Sequence, residues 1–201
     1  MKVEASEKTV SQQIIDAATV LFAAKGFARV SVREISKEAE VNSALISYYF
    51  GGKGELYNHI LKSQLEHLIS VVSEIQKEKL TPIKEIYRFS EKLTLLHKKY
   101  PYLLRLVLGE IINPSCYYGV VKKEIESMNH LLKECILRGV NSGDFKSDID
   151  PDATAISLIG IINFYFLTLP LSNELLLKKD NQVDYFVKES IRQYLEGILS
   201  H

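Results

Sequence analysis

The sequence contains only two cysteines, Cys116 and Cys135, among 201 residues. A disulfide framework is built from several bridges, and a structural zinc site needs four ligands at short spacings. Two distant thiols supply neither, so the fold must be held by packing alone. Both are expected to be incidental thiols, and the alternative that they form a redox pair stays open.

Signatures of catalysis are also missing. The five histidines show no metal-binding spacing such as H-E-x-x-H, and no G-x-S-x-G turn carries a nucleophilic serine. The run Gly51, Gly52, Lys53, Gly54 has a phosphate loop's residue types but not its spacing, and no strand precedes it. Because no convergent set of titratable groups emerges, the chain is predicted not to be an enzyme and to need no metal or cofactor.

The chain has no net charge, since 25 Lys and Arg balance 25 Asp and Glu. No field of the whole molecule therefore attracts nucleic acid, and any such binding must rely on local charge. Residues 1–55 carry seven basic and seven acidic side chains, which places the acids away from any DNA-facing surface. The first residues are polar and lack the apolar run of a signal peptide, so we expect a cytoplasmic protein.

Strand-like alternation is absent over any useful length, whereas apolar residues recur at steps of three and four. At 46% hydrophobic residues, the chain can bury one sizeable core or two modest ones. The prediction is an all-α fold, with the first helix near residues 10–24. Further helices are predicted over 55–77, 83–97, 102–112, 120–141, 153–169 and 183–199.

Residues 31–53 predict two short helices joined by a turn. Ser31 followed by Glu34 is a capping box, which starts a helix at Val32. Asn42 is a favoured N-cap for a second helix, whose inward edge is apolar and whose outer face is small, polar and aromatic. This is the plan of a helix-turn-helix, in which the second helix enters the major groove of DNA; the alternative is an ordinary helical hairpin.

Residues 10–57 resemble the TetR family of bacterial transcriptional regulators. The resemblance rests on Phe22, Gly26, Phe27, Ser31, Ile35, Val41, Tyr49, Phe50, Lys53 and Leu56 at their spacings. It implies a three-helix DNA-binding domain over 1–54 and a larger helical bundle over 55–201 for ligand binding and dimerisation. It also implies a homodimer that binds palindromic operator DNA and is released as a repressor by a small-molecule effector.

The family's DNA-contact positions fall at the start of the second helix, along the third and just after it. They are Ser31, Arg33, Asn42, Ser43, Ala44, Ser47, Tyr48, Tyr49 and Lys53. Three departures stand out. Glu40 replaces the usual turn glycine, which questions the geometry of the turn. Ala44 and Ser47 replace a common glycine and tyrosine, which we expect to shift base preference.

Residues 153–169 contain no charge, and a helix apolar on every side must be covered on every side. We expect an identical subunit to cover part of it together with the last helix. The interface is predicted at Ile162, Phe166, Phe186, Ile191 and Tyr194. Insertion in a membrane is the disfavoured alternative, because about twenty apolar residues are needed to span one.

The helices after residue 55 form a domain larger than dimerisation requires, and pockets between bundle helices are natural ligand sites. Candidate effector contacts are Tyr87, Glu91, Arg105, Glu110, Tyr117, Asn163 and Tyr165, and the sequence does not identify the compound. The rival hypothesis is a helical ligand-binding or protein-interaction module of the same fold that has lost DNA binding. The neutral charge of residues 1–55 is its best support.

Overall fold

The computed structural model describes residues 9–176 and 181–200. Within them the chain is helical, with a single turn of 3-10 helix at Phe27–Arg29. The helices in chain order are α1 Val10–Lys25, α2 Val32–Glu38, α3 Ala44–Phe50, α4 Lys53–Lys77, α5 Pro82–Lys99, α6 Leu103–Ile112, α7 Tyr118–Ser142, α8 Pro151–Leu167, α9 Leu169–Leu175 and α10 Gln182–Ile198. The all-α prediction is confirmed, and most helix bounds lie within a few residues of those predicted.

The first three helices form a small N-terminal head. The Thr9 hydroxyl accepts a hydrogen bond from the Gln12 N–H and caps α1. The inner side of α1 is then buried through Ile14, Ala18 and Phe22. Gly26, at φ 78°, ends α1 in a conformation that favours glycine. The head is thus a three-helix unit whose core is supplied mainly by α1.

The turn between α2 and α3 keeps helix-turn-helix geometry without a glycine. Glu40 has a left-handed φ of 54°, its N–H donates to the Lys37 carbonyl, and the Val41 N–H donates to the Ser36 carbonyl. These two bonds make a Schellman motif, which normally has glycine at the position of Glu40. The doubt raised by Glu40 is therefore resolved, because the residue adopts the glycine conformation.

The longest connection in the fold is α4, which has 25 residues and begins beside α3. Its buried side chains include Leu56 and Ile60 near the head and Val72 and Ile75 among α5 and α7. One continuous hydrophobic core extends from Ile14 in the head to Leu195 in α10. The helices from α5 to α10 are called the body below.

The apolar stretch of the body is broken earlier than predicted. A helix was expected over 153–169, but α8 ends at Leu167, and α9 follows with Pro170 in its first turn. In the described part of the chain no single helix is long and apolar enough to span a membrane. By length and composition, α8 and α9 could span a membrane only if they are taken together, and a bend of 90° separates them.

Candidate DNA-binding surface and ligand cleft

Helix α3 turns one edge inward and leaves a polar and aromatic face in solvent. Ile46 is fully buried, whereas Ser47, Tyr48 and Tyr49 are exposed, Tyr48 by 79%. The two tyrosine rings meet edge to face at 5.0 Å. We call Ser47, Tyr48 and Tyr49 the α3 face. It offers three hydroxyls and two aromatic rings, which suit phosphates and base edges.

The start of α3 is fixed by Asn42. Its side-chain oxygen accepts a hydrogen bond from the Ala44 N–H at 2.9 Å, and its carbonyl accepts one from Leu45. Asn42, Ser43 and Ala44 are all exposed beside the α3 face. The N-cap of α3 is thus Ser43, one residue later than predicted, and the Asn42 side chain holds the turn that leads into the helix.

The start of α2 carries the predicted capping box. The Glu34 carboxylate accepts hydrogen bonds from the Ser31 N–H at 2.8 Å and from Lys25 at 3.0 Å, and these lower the pKa of Glu34 to about 2. Because the folded pKa is depressed, this stabilisation is present above about pH 4.5 and is lost as the pH falls toward 2. Ser31 and Arg33 remain exposed.

Lys53 has a different position from the one expected. Its ammonium donates to the carbonyls of Phe27 and Val30, at 3.1 and 2.9 Å, and lies 4.4 Å from the centre of the Phe27 ring. In this arrangement Lys53 ties the start of α4 to the 3-10 turn. A contact between Lys53 and a phosphate stays a prediction, and it would require these bonds to be shared or exchanged.

The sequence of the head and of the start of α4 matches a known family model. The sequence model described as bacterial regulatory proteins, tetR family, matches residues 14–60, which include both helices of the helix-turn-helix and the start of α4. Residues 14–60 of the chain are therefore similar to the tetR family of bacterial regulatory proteins. The resemblance seen in residues 10–57 is thereby confirmed.

Two TetR-family relatives differ in how much of the chain they match. The chain is 50% identical over 66 residues to the Bacillus subtilis protein named probable HTH-type transcriptional regulator YttP, covering 33% of this chain but only 30% of that protein. It is 22% identical over 138 residues to the Staphylococcus aureus biofilm operon icaADBC HTH-type negative transcriptional regulator IcaR, covering 68% of this chain and 73% of IcaR.

A solved structure extends the likeness to the whole fold. The ketosteroid transcriptional regulator KstR2 of Mycobacterium tuberculosis superposes over 100% of both chains with a TM-score of 0.80 and 14% identity. At that identity only the fold is shared.

The head meets the body through a buried polar contact. The Tyr57 hydroxyl of α4 donates to Glu110 of α6 at 2.7 Å, and the other carboxylate oxygen of Glu110 accepts from the Ser115 N–H and hydroxyl, at 3.1 and 2.8 Å. Burial, and then the Glu110 carboxylate, raise the pKa of Tyr57, so its hydroxyl stays protonated and remains the donor. Glu110 is 1% exposed.

Aromatic rings surround this contact. Tyr117, from the loop between α6 and α7, packs edge to face against Phe27 at 5.7 Å and against Tyr57 at 5.6 Å. A Cβ added at Gly54 would lie only 2.8 Å from the Tyr117 hydroxyl. Glu110 and Tyr117, predicted as effector contacts, therefore lie where Gly54 and Tyr57 of α4 meet the body. We call this contact the joint.

Among the described residues, α5, α6, α8, α9 and α10 enclose a cleft of about 550 Å³, called cleft A here. Its walls are mostly apolar, with Leu104, Phe166 and Val183 among them. Of the predicted effector contacts, Arg105 and Tyr165 line cleft A. The Tyr165 hydroxyl donates to the Asn173 side-chain oxygen at 2.7 Å.

His97 lines the same cleft, although it is not among the predicted effector contacts. Its Nε2 lies 2.9 Å from the Asn163 side-chain oxygen, so Asn163, a predicted effector contact, supports His97 in the wall of the cleft. The other ring nitrogen, Nδ1, is buried without a hydrogen-bond partner. Burial lowers the pKa of His97, so the ring is neutral near pH 7. The sequence did indicate that His97 is buried, because it follows the buried Leu93 by one turn on the apolar side of α5.

A second cleft of about 390 Å³, cleft B, lies between α5 and α10. Tyr87 and Glu91 line it together with Asp184 and Lys188. The predicted effector residues thus divide among three places: cleft A with its Asn163 support, cleft B, and the joint. The sequence could not separate these places because six of the residues lie on neighbouring helices of one bundle and Tyr117 directly precedes α7.

The predicted dimer contacts also need correction at two positions. Ile162 and Ile191 are fully buried within their own chain, so a partner cannot reach them. Phe166 and Phe186 both pack against Tyr165 and are partly buried, as is Tyr194. The exposed side of α8 is formed instead by Ile156, Gly160, Phe164 and Leu167, which we call the α8 face.

The two cysteines lie far apart along the chain. Cys116 is exposed just before α7, and Cys135 is buried more than four turns along it. At 1.5 Å per residue, this separation is well beyond the ~7 Å that a disulfide tolerates between Cα atoms, so a bridge within one chain is excluded. Within residues 9–176 and 181–200, no group of His, Cys, Asp or Glu is arranged to hold a metal ion.

Proposed function

We propose that the protein is a homodimeric transcriptional repressor that binds operator DNA through α3 and is released by a small-molecule effector. The observation that carries this proposal is the α3 face. Tyr48 and Tyr49 are large aromatic residues held in solvent on a helix whose other edge is buried, in a helix-turn-helix similar to that of the TetR family. A surface of this kind has no packing role in the isolated chain.

The contacts to DNA are proposed as two groups. Asn42, Ser43, Ala44, Ser47 and Tyr48 face base edges, whereas Ser31, Arg33, Tyr49 and Lys53 hold phosphates. Donors from phosphate-binding residues set affinity, and contacts in the groove set sequence preference. The neutral charge of residues 1–55 implies few phosphate contacts and hence a shallow dependence of affinity on salt.

Dimerisation is proposed through the α8 face with support from α10. Ile156 is 64% exposed and Phe164 62%, and Leu167 continues the same side of the helix. Gly160 lies between them and would let a second α8 approach closely. A two-fold dimer formed here would present two α3 helices to half-sites about 34–36 Å apart.

Release by an effector is proposed to act through the joint. A ligand between the body helices would shift α6, which carries Glu110, and thereby move α4 and the head. Such a ligand must bind the form without DNA more tightly, and a coupling of about 1–3 kcal/mol changes operator affinity roughly 5- to 150-fold. We place the DNA-binding domain at 1–54, the ligand-binding and dimerisation domain at 55–201, and the protein in the cytoplasm.

The test is fluorescence anisotropy with labelled DNA from the region flanking the protein's own gene, titrated with and without unlabelled competitor. A repressor of this type should bind a fragment from that region tightly, and nonspecific competitor DNA should not displace it. The matched variant Arg33→Gln should weaken binding to all sequences alike and reduce the salt slope by about one. Equal, weak binding to every fragment would favour the rival hypothesis of a module that has lost DNA binding.

A further inference from the structure

Cleft A differs from the other clefts of the described chain in the sign of its charge. Among residues 9–176 and 181–200, its lining contains two cations, Lys98 and Arg105, and no carboxylate. Cleft B has Glu91 and Asp184 beside Lys188. A third, more polar cleft likewise mixes both signs, with Glu85 bound to Arg138. In a chain with equal numbers of acids and bases, a cleft lined by one sign is informative about its ligand.

The two cations of cleft A are not equivalent. Lys98 of α5 donates to both oxygens of Asp184, at 2.7 and 2.8 Å, so its charge is already compensated. Arg105 of α6 is exposed and forms no ion pair with any described residue. Its planar guanidinium can bind a carboxylate, sulfonate or phosphate with two parallel hydrogen bonds. Among the described residues that line cleft A, Arg105 is therefore the cation without an ion-pair partner.

The remainder of cleft A is mostly apolar, with the polar side chains His97, Asn173, Asn181 and Gln182 among its lining. Leu104, Phe166, Leu169 and Val183 line it, and the rings of Tyr102 and Tyr165 add aromatic surface. A volume of about 550 Å³ lies within the range of small-molecule sites in proteins. An apolar cleft with one free cation complements a molecule that has an apolar body and one anionic group.

His97 adds an unsatisfied polar atom to the wall of cleft A. The residue is 6% exposed, its Nδ1 has no hydrogen-bond partner, and its Nε2 is held by Asn163. A buried polar atom without a partner is costly, and it is usually satisfied by a water or a ligand. With Nε2–H donating to the Asn163 oxygen, Nδ1 is an acceptor for a donor from the ligand.

We infer that cleft A binds an amphipathic anion, with its acidic group on Arg105 and its aromatic or aliphatic body against Phe166, Leu104 and Val183. The inference rests on the proposed function, since it names the chemical class of the effector. It also assigns the roles of the two cations. Arg105 selects the charge of the ligand, whereas Lys98 joins α5 to α10 at the wall between clefts A and B.

The test uses two fluorescent probes of nearly the same shape. The first, 8-anilino-1-naphthalenesulfonate, is an anion, and the second, N-phenyl-1-naphthylamine, lacks the sulfonate and is neutral. Both are titrated into the full-length wild type and into Arg105→Gln. Arg105→Gln should weaken the anionic probe about tenfold, the effect of losing a charge-assisted hydrogen bond, and leave the neutral probe within about twofold.

Three further variants control the experiment. Lys188→Gln removes a cation from cleft B and should change neither probe. Arg105→Lys keeps the charge and should recover part of the affinity for the anion. Leu169→Trp narrows cleft A and should weaken both probes. Because Arg105, Lys188 and Leu169 are exposed, all these variants are expected to fold.

The inference is overturned if Arg105→Gln leaves the anionic probe unchanged, if it weakens both probes equally, or if Leu169→Trp affects neither. These measurements contain no DNA, so they are independent of the proposed function. A protein that discriminates the two probes as expected but binds no operator would contradict the repressor function and keep the ligand class. A protein that binds operator but does not discriminate between the two probes would support the repressor function and contradict the ligand class.

Discussion

The α3 face and the α8 face are both exposed in the single chain, but they have opposite chemistry. The α3 face presents three hydroxyls, from Ser47, Tyr48 and Tyr49, whereas the α8 face presents Ile156, Phe164 and Leu167 around Gly160. Hydroxyls and aromatic edges can exchange water for phosphate and bases, while an aliphatic and aromatic patch gains only from being covered by another apolar surface. The difference indicates that two partners of different kinds complete this chain.

The largest effect is expected from breaking the α8 face. Phe164→Asp places a charge on a surface that is proposed to be buried in the dimer, and we expect a monomer. Because a dimer binds two half-sites at once, operator affinity should fall about 100-fold or more. Multi-angle light scattering and anisotropy measure the two quantities. Ile112→Asp is the control, since Ile112 is also exposed, by 71%, but lies on α6. A Phe164→Asp protein that stays dimeric would place the interface elsewhere.

Breaking the α3 face should have a smaller effect. Tyr48→Ala removes a ring that is 79% exposed, so stability should be unchanged. Loss of a contact to bases should cost about 1–3 kcal/mol of binding and relax preference at one position, with the salt slope unchanged. Binding to a set of single-base operator variants measures this, with Tyr102→Ala in the body as the control. A uniform loss accompanied by a lower salt slope would assign Tyr48 to a phosphate.

The link between the two regions can be weakened at Glu110. In Glu110→Gln an amide N–H₂ replaces one of the two buried oxygens that accept from Tyr57 and Ser115. We expect unfolding free energy to fall by about 1–3 kcal/mol, as for other unsatisfied buried groups. Urea denaturation measures the change. The control is Glu91→Gln, because Glu91 is exposed and lies 3.5 Å from Arg88 in a surface pair. Equal stability of the two variants would mean that the joint contributes nothing.

The smallest expected effect is a gain in stability from a substitution in the head. Glu40→Gly relieves a left-handed conformation at φ 54° and should raise the unfolding free energy by about 0.5–1 kcal/mol. The paired variant Glu38→Gly, in the last turn of α2, should lower it by about the same amount because that position is helical. Thermal unfolding distinguishes the two signs. A loss in both variants would show that the Glu40 side chain makes a stabilising contact that outweighs its backbone strain.

The sequence predicted the head better than the body for a physical reason. The Ser31 capping box, the Asn42 turn and the inward Ile46 all depend on residues fewer than five positions apart, which the sequence displays directly. In α8 almost every residue is apolar, so nothing in the sequence distinguished buried Ile162 from exposed Phe164. That distinction is made by packing against α7 and α10.

The cleft residues were harder still to assign. Arg105, His97 and Tyr165 meet in cleft A although they come from three helices, and the pattern of each helix shows only that it is amphipathic or apolar. Lys53 illustrates the same limit in the head. Its spacing fits the family pattern, but its bonds to the Phe27 and Val30 carbonyls depend on how the 3-10 turn lies against α4.

Because Gly54 has no side chain, the loop after α6 can pack closely against the first turn of α4. Because the Tyr117 hydroxyl lies 2.8 Å from the place of a Gly54 Cβ, the loop after α6 and the first turn of α4 are nearly in contact. At this point the first turn of α4 and the loop pack without room for a further side chain. A rearrangement of the body that pushes this loop toward α4 should therefore displace α4, and with it the head, away from the loop.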